Sequence, residues 1–240
     1  MKPSIFILCY NSKNNIFNCF KEIKKIYKKS EKIYFVDNCS TDNSIELIKI
    51  YKKKFKISNL FIIKNKKNLG MGGSWKNCLK FIEKKKIKLA FFVHSSGKGR
   101  IDNIVLNFLK ILRKNPKQEI IFASRFHHKA KLKNYSKIKI YGNKFFNFIT
   151  WIATGYKFND SGCGIISINN INIKKLKYKN FINGAQFNAQ LNIYFKKNNF
   201  KTKEIPLNWS SGKVTSHINI VQYSLGLLKL LIYYFFFRKF

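Results

Sequence analysis

Residues 32–42 read KIYFVDNCSTD, which is the pattern of a strand followed by a polar loop. The first part, Lys32–Val36, is an apolar and aromatic run that predicts a buried strand. Asp37 stands directly at its end. The polar residues that follow predict a helix beginning near Asn43, with the Asn43 side chain as N-cap and Glu46 closing a capping box. Strand, polar loop and helix in that order are typical of one βαβ unit.

The same order of strand and helix is repeated on both sides of this stretch. Further strands are predicted at Ser4–Tyr10, Leu60–Lys64, Lys88–Val93 and Glu119–Ala123. Helices are predicted at Asn14–Lys28, after Asn43, after a Gly-rich turn at Gly70–Gly73, and at Ile101–Arg113. This alternation predicts an α/β fold whose mostly parallel, Rossmann-like sheet carries helices on both faces.

Ligands of such sheets lie beyond the carboxyl ends of the strands. That rule brings four loops to one crevice: Tyr10–Asn11, Asp37–Asp42, His94–Gly99 and Ser124–Arg125. Helix capping explains the Ser, Thr and Asp that follow Asp37, but it does not explain a carboxylate at a strand end. We therefore expect Asp37 to accept hydrogen bonds from a base or a ribose.

The pattern is less regular after residue 125. It predicts a basic loop at Lys129–Lys139, helices at Tyr141–Thr154 and Asn183–Asn198, and strands at Cys163–Ile168 and Lys201–Pro206.

The tail, Val221–Phe237, is the most apolar stretch and would be ~26 Å long as a helix. Because it is slightly short of a full span and Lys229 stands in its middle, a helix in the membrane interface or docked on a partner is favoured over a transmembrane span. A buried C-terminal helix is the alternative. We divide the chain into a domain of residues 1–215 and a helical tail of residues 216–240.

The chain is strongly basic, with 48 Lys and Arg against 10 Asp and Glu and a formal net charge of +38. AT-rich coding favours Lys, Asn, Ile, Phe and Tyr and explains much of this charge. A basic surface still attracts anions such as lipid headgroups and nucleotide diphosphates. Nucleic acid is not expected as a partner, because the lysines are spread evenly and no zinc-finger spacing or RNA-recognition signature is present. The five Cys form no CxxC pair and predict reduced thiols.

Several segments, in this order, resemble family 2 glycosyltransferases, and more narrowly their polyprenyl-phosphate branch, the dolichyl-phosphate-mannose-synthase-like enzymes. They are Tyr10–Asn11, VDNCSTD at 36–42, NLGMGGSW at 68–75, ASRF at 123–126, YGNKFFN at 141–147, Gly155, DSG at 160–162, and finally Pro206, Trp209 and Ser216. Each segment is weakly specific alone, whereas the set in family order is specific.

The resemblance implies a GT-A fold that binds a nucleoside-diphosphate sugar on the cytoplasmic face of a membrane. Asp37 would contact the nucleobase, with Tyr10 and Asn11 lining the same pocket, and Arg125 would lie near the phosphates. Asp160 would lie near the sugar and the acceptor as a catalytic residue. A polyprenyl-phosphate acceptor would then bind the basic loop, through Lys133 and Lys139, next to an anionic membrane surface.

One segment departs from the family pattern. Relatives carry two acidic residues after the fourth strand that hold Mg²⁺ or Mn²⁺, whereas this chain reads HSSGKG at 94–99, with Ser96 and Gly97 at those positions. A Ser hydroxyl is a weak substitute for a carboxylate ligand. Two hypotheses remain. In one, Ser96 still lines the nucleotide-sugar site and Lys98, with Arg100 and Arg125, replaces the metal as the positive charge on the leaving diphosphate. In the other, catalysis is lost and the protein is a binding or regulatory relative.

Overall fold

The computed structural model describes residues 1–211 and 219–238. Its strands are β1 (Ser4–Cys9), β2 (Lys32–Asp37), β3 (Leu60–Lys64), β4 (Leu89–His94), β5 (Ile120–Ser124), β6 (Leu132–Lys133), β7 (Ile166–Asn169), β8 (Thr202–Pro206) and β9 (Trp209–Ser210). Its helices are α1 (Lys13–Ile23), α2 (Ser44–Lys54), α3 (Gly70–Lys84), α4 (Ile101–Lys114), α5 (Lys137–Thr154), α6 (Phe187–Lys197) and α7 (Ile220–Phe237). Ser216 and the predicted boundary after residue 215 lie outside the described residues.

The main sheet has seven strands in the order β3-β2-β1-β4-β7-β5-β8. Strands β3, β2, β1 and β4 are parallel neighbours, β5 pairs in parallel with β8, and β7 runs antiparallel between β4 and β5. The predicted α/β fold with a mostly parallel sheet is confirmed. Since β7 runs the opposite way, the residues that precede it arrive at the edge where β4 and β5 end.

The core lies on both faces of this sheet because alternate strand residues point to opposite sides. On one face, Ile5 and Ile7 of β1 pack with apolar residues of α1, α2 and α4. On the other, Phe6 packs with α3 and α6, and the Trp75 ring of α3 stacks on Phe92 of β4 at 3.8 Å between centroids. Burial on both faces is the physical reason that these strands read as continuous apolar runs.

Several local predictions are wrong in detail. Gly70–Gly73 is the first turn of α3 and not a separate turn before it. Asn43 precedes α2 with a left-handed φ of 56° and makes no side-chain cap; instead, Asp42 Oδ1 accepts from the Ser44 amide at 3.2 Å. Asp42, one residue earlier, thus accepts a hydrogen bond from a backbone amide at the start of α2, which is the task that the prediction gave to the Asn43 side chain.

The second half differs more from its prediction. The predicted strand at Cys163–Ile168 is the shorter, antiparallel β7, and the predicted helix at Asn183–Asn198 begins only at Phe187. The predicted basic loop ends early, because α5 begins at Lys137, and β6 within it pairs with β9.

Helix α7 lies along the domain and packs against α5. Its buried side chains are Leu227, Leu230, Leu231 and Tyr234. The rest of the helix is mostly exposed, and among the described residues it is the one helix long and apolar enough to cross a membrane. One side of α7 is therefore a core face, whereas its other side presents apolar groups outward.

Four of the five cysteines are buried, at positions 9, 19, 78 and 163, and none of the five is in a disulfide. Burial raises the pKa of each of these four thiols, which keeps them protonated at neutral pH. Cys39, in the loop after β2, is only partly buried.

Candidate functional site

The loops after β1 and β2 are joined by hydrogen bonds at the carboxyl edge of the sheet. The Asn11 amide donates to Ser40 Oγ at 2.9 Å, and Asn11 Oδ1 accepts from the Thr41 amide at 2.9 Å. Asn11 itself takes a positive φ of 45°, which Asn tolerates better than most residues. The predicted neighbours Asn11 and Asp37–Asp42 thus form one rigid unit. Tyr10 is half-buried at the end of β1, and its carbonyl accepts from Ser12 Oγ at 3.2 Å.

Asp37 lies beneath this unit and is fully buried. Its carboxylate accepts from the Ser40 amide, at 3.1 Å to Oδ2 and 3.3 Å to Oδ1. A buried carboxylate must be compensated by such donors. Asp37 therefore has a structural task in shaping the loop, and its predicted contact with a nucleobase remains a prediction.

The loop after β4 is fixed to β1 through Ser95. The Ser95 amide donates to the Leu8 carbonyl at 3.0 Å, and the hydroxyls of Ser95 and Ser12 lie 2.7 Å apart. Half-buried Ser96 follows, and then Gly97 with a left-handed φ of +67°. A side chain at Gly97 would be strained by that φ, so the turn favours glycine at this position.

Positive groups gather around Lys98. Burial and the charges of Lys139 and Arg125 lower the pKa of the Lys98 amine. Burial, Arg125 and Lys98 lower the pKa of His94, at the end of β4, to about 4, so this imidazole is neutral at neutral pH. Lys98, Lys139 and Arg125, from here on the cationic cluster, therefore lie close enough for the charges of the other two to act on Lys98, and neutral His94 lies beside them. A group of like charges held together is suited to an anionic ligand.

Arg100 is held elsewhere. Its guanidinium makes a two-pronged ion pair with Asp102, at 2.6 Å and 3.1 Å, and Lys25 adds a third contact at 3.3 Å. Asp102 lies in the first turn of α4, where an acidic residue is favourable. For Arg100 to stabilise the charge of a leaving diphosphate, as predicted, this ion pair with Asp102 would have to break.

Arg125 and Asp160, two separately predicted site residues, form one buried ion pair. Arg125 Nε lies 2.7 Å from Asp160 Oδ2 and Nη2 lies 2.8 Å from Oδ1, and the Arg125 amide also donates to Oδ2 at 3.0 Å. Only 1% of the Asp160 side chain and 15% of the Arg125 side chain are exposed. Antiparallel β7 explains the meeting, since it brings the DSG segment to the end of β5.

Two further side chains support the guanidinium. Nη1 donates to Tyr135 Oη at 3.2 Å, and Nη2 donates to Asn143 Oδ1 at 3.3 Å. Asn147 holds the other half of the pair, because its Oδ1 accepts from the Ser161 amide at 2.9 Å. In the sequence, the segment 141–147 stands out only as a family-like motif, and these contacts give Asn143 and Asn147 a structural role. Tyr135 carried no such signal.

The two predicted acceptor lysines are placed differently. Lys139 is exposed in the first turn of α5 and acts electrostatically on Lys98. Lys133 is exposed on β6, where its carbonyl accepts from the Ser211 amide at 3.0 Å. The effect of Lys139 on Lys98 places it in the cationic cluster, and no described interaction places Lys133 there.

The residues of this edge do not fit the divalent metal that the resemblance implies. Magnesium and manganese favour carboxylate oxygens. The loop after β4 offers the Ser96 hydroxyl and the Lys98 amine, and both oxygens of Asp160 already accept from Arg125. Within residues 1–211 and 219–238, no three His, Cys, Asp or Glu side chains are grouped so that they could hold a metal ion.

Residues 4–91 match the family model of glycosyl transferase family 2. The matched segment runs from β1 into β4, so it contains the unit formed by Asn11 and Asp37–Asp42. A curated relative, the uncharacterized protein MJ1222 of Methanocaldococcus jannaschii, is 25% identical over 208 residues, which cover 86% of this chain and 81% of that protein.

Solved structures resemble the chain over nearly its whole length. Mannosyl-3-phosphoglycerate synthase from Rubrobacter xylanophilus has a TM-score of 0.70 at 12% identity, covering 97% of this chain and 72% of that one. Glucosyl-3-phosphoglycerate synthase from Mycobacterium tuberculosis, in complex with Mn²⁺, UDP and phosphoglyceric acid, has a TM-score of 0.66 at 12% identity, covering 96% and 76%. Identities this low establish the fold alone, and the expected GT-A fold is confirmed.

Proposed function

We propose that this protein transfers a glycosyl group from a nucleoside-diphosphate sugar to a phosphate-bearing acceptor. The observation that carries the proposal is the cationic cluster, which lies at the carboxyl edge of a GT-A sheet and includes Arg125 of the buried ion pair. The match of residues 4–91 to glycosyl transferase family 2 supports the donor class. The ends of β2 and β5 are four strand spacings apart, roughly 19 Å, which gives an extended donor room along this edge.

In the proposed reaction, the bond from the anomeric carbon to the diphosphate breaks and its electron pair leaves on the phosphate oxygen. An acceptor oxygen forms the new bond to that carbon. Lys98 and Lys139 would stabilise the charge that develops on the diphosphate, as preorganised positive groups do in other transferases. Neutral His94 would add no charge but has a ring nitrogen available for a hydrogen bond.

A phosphate acceptor suits the chemistry of the site. A phosphate oxygen is already anionic at neutral pH and needs no strong general base. That matters here because Asp160, the predicted catalytic carboxylate, gives both oxygens to Arg125. In this proposal Asp160 orients Arg125, and Arg125 faces the phosphates of donor or acceptor.

We further propose that the acceptor is a polyprenyl phosphate and that the protein works at an anionic membrane surface on the cytoplasmic side. Two neighbouring helices support this idea. The exposed apolar side chains of α5 are Ile138, Tyr141, Phe145, Phe148, Trp151 and Ile152, and those of α7 include Val221, Leu225, Leu228, Ile232 and Phe236. Spacings of three and four residues align them along each helix. Such a face, on a chain of net charge +38, is suited to lipid headgroups.

The rival acceptor is a soluble phosphate ester. The solved structures named above are mannosyl- and glucosyl-3-phosphoglycerate synthases by name, and their similar fold favours a soluble phosphate ester as the acceptor. A non-catalytic binding protein is the second candidate function, and the absence of acidic residues at positions 96 and 97 favours it.

One set of assays separates these candidates. UDP-glucose and GDP-mannose are titrated by calorimetry, and release of UDP or GDP is then followed with either a short polyprenyl phosphate in micelles or 3-phosphoglycerate. We expect turnover with the lipid phosphate that persists in chelator. Turnover with phosphoglycerate alone would overturn the lipid acceptor, and donor binding without any turnover would favour the binding protein.

The role of the cationic cluster is tested with Lys98→Gln. Loss of one preorganised charge should lower kcat by about 100-fold. Lys110→Gln is the matched control, since Lys110 is an exposed lysine of α4 and its loss changes the net charge equally. Equal activities of the two variants would contradict the assigned role of Lys98.

A further inference from the structure

One side chain of the tail helix α7 reaches the segment that carries Asp160. Tyr223, in its first turns, is half-buried and directs its hydroxyl at Gly162 of the DSG segment. A Cβ added at Gly162 would lie only 2.5 Å from Tyr223 Oη, closer than any real contact. Glycine at position 162 is thus what lets this hydroxyl approach the segment that carries Asp160.

The electrostatic surroundings of Tyr223 agree with this placement. Burial raises the pKa of its phenol to about 12, and the charges of Arg125 and Asp160 both act on it, as does Tyr135. The group therefore remains a protonated phenol at any physiological pH. A fixed phenol beside a buried ion pair is both a hydrogen-bond donor and an acceptor.

Hydrogen bonds and close packing hold the first turns of α7 against the domain, and they fix the position of Tyr223. Gln186, at the start of α6, donates from Nε2 to the Gln222 carbonyl at 3.2 Å and to the Tyr223 carbonyl at 3.1 Å. Gly226 leaves the space that the Gln186 amide fills. Asn219 caps the helix by accepting from the Gln222 amide at 3.1 Å. These contacts fix the helix to α6 at the residue that approaches Gly162.

We propose that Tyr223 is a positioning residue of the transfer site, through which docked α7 holds the DSG segment, and with it Asp160 and Arg125, in the geometry needed for transfer. This inference rests on the proposed function. It gives the tail helix a task inside the site in addition to any task at a membrane. The competing explanation is that Tyr223 only fills space between α7 and the domain.

The first test is Tyr223→Phe, which keeps the ring and removes the hydroxyl. We expect kcat for UDP-glucose or GDP-mannose, whichever the wild type uses, to fall by about 10- to 100-fold with KM for the donor changed by less than about twofold. The matched control is Tyr51→Phe, because Tyr51 is a half-buried tyrosine of α2 packed among phenylalanines on the opposite face of the sheet. Equal kcat in the two variants would overturn the proposal.

A double-variant cycle separates positioning from space filling. Gly162→Ala should lower the melting temperature by roughly 3–10 °C, because its methyl group collides with the Tyr223 hydroxyl. Adding Tyr223→Phe removes the colliding oxygen, so the melting temperature should recover while kcat stays low. Recovery of both would mean that Tyr223 only fills space.

The outcomes for this inference and for the proposed function are distinct. A wild-type protein without turnover would overturn the proposed function, and the positioning role with it. Turnover in the wild type that Tyr223→Phe leaves intact would overturn the positioning role alone.

Discussion

Replacing Asp160 by Asn tests the buried ion pair most directly. The change removes the counter-charge of a guanidinium that is only 15% exposed. Breaking such a pair from one side costs about 3–5 kcal/mol, because an uncompensated charge is left buried. We expect the lower end, about 3 kcal/mol, since Tyr135 and Asn143 still accept from Arg125 and the Trp209 ring lies 5.6 Å from it. For a chain of this size, that corresponds to a fall in melting temperature of roughly 6–12 °C.

The measurement is thermal unfolding followed by circular dichroism, with Asp102→Asn as the matched control. Asp102 is equally buried, and its loss changes the net charge by the same amount, but its partners Arg100 and Lys25 are 53% and 57% exposed. Water solvates those partners when the aspartate is removed, so the cost should be about 1 kcal/mol or less, roughly 2–4 °C. If the two variants lose equal stability, the reasoning from the burial of the partner is refuted.

Two further predictions concern His94 and the glycines. Because burial and the charges of Lys98 and Arg125 lower the pKa of His94 to about 4, the unfolded chain takes up a proton below about pH 6.5 that the folded chain does not. The free energy of unfolding should therefore fall, by up to about 3 kcal/mol, between pH 6.5 and 4, and His94→Gln should reduce this fall in parallel denaturant titrations. Gly72→Ala should cost about 1–3 kcal/mol because its Cβ would overlap main-chain atoms of the segment before α6, whereas Gly142→Ala, with open space around it, should stabilise α5 by about 0.5–1 kcal/mol. Chemical denaturation of both glycine variants checks this, and equal signs would contradict it.

The first half of the fold was predictable from the sequence because its strands are buried on both faces. Residues such as Phe6 and Ile7 face different clusters, so the run is apolar throughout and its length marks a strand. An apolar run does not show whether its strand is parallel or antiparallel to its neighbours. Strand β7 reads ISIN and is buried at all four residues, and nothing in that short segment marks it as antiparallel.

The site was predictable in part for the same reason. The rule that ligands lie at the carboxyl ends of strands brought Asp37, Lys98 and Arg125 to one edge. The pairing of Arg125 with Asp160 spans 35 positions, and that with Asn143 spans 18, so no local pattern reveals either. The role of Tyr223 was equally hard to predict, since a tyrosine in an apolar tail gives no sign of its approach to Gly162, more than sixty positions earlier in the chain.

The distribution of thiols has a practical consequence. Four of the five cysteines are enclosed and protonated, whereas Cys39 is partly open, on the loop between Asp37 and Ser40. A maleimide dye should therefore couple to the native protein mainly at one point, without removal of the other cysteines. A change in its fluorescence would show whether a nucleotide binds next to that loop, before any sugar or acceptor has been identified.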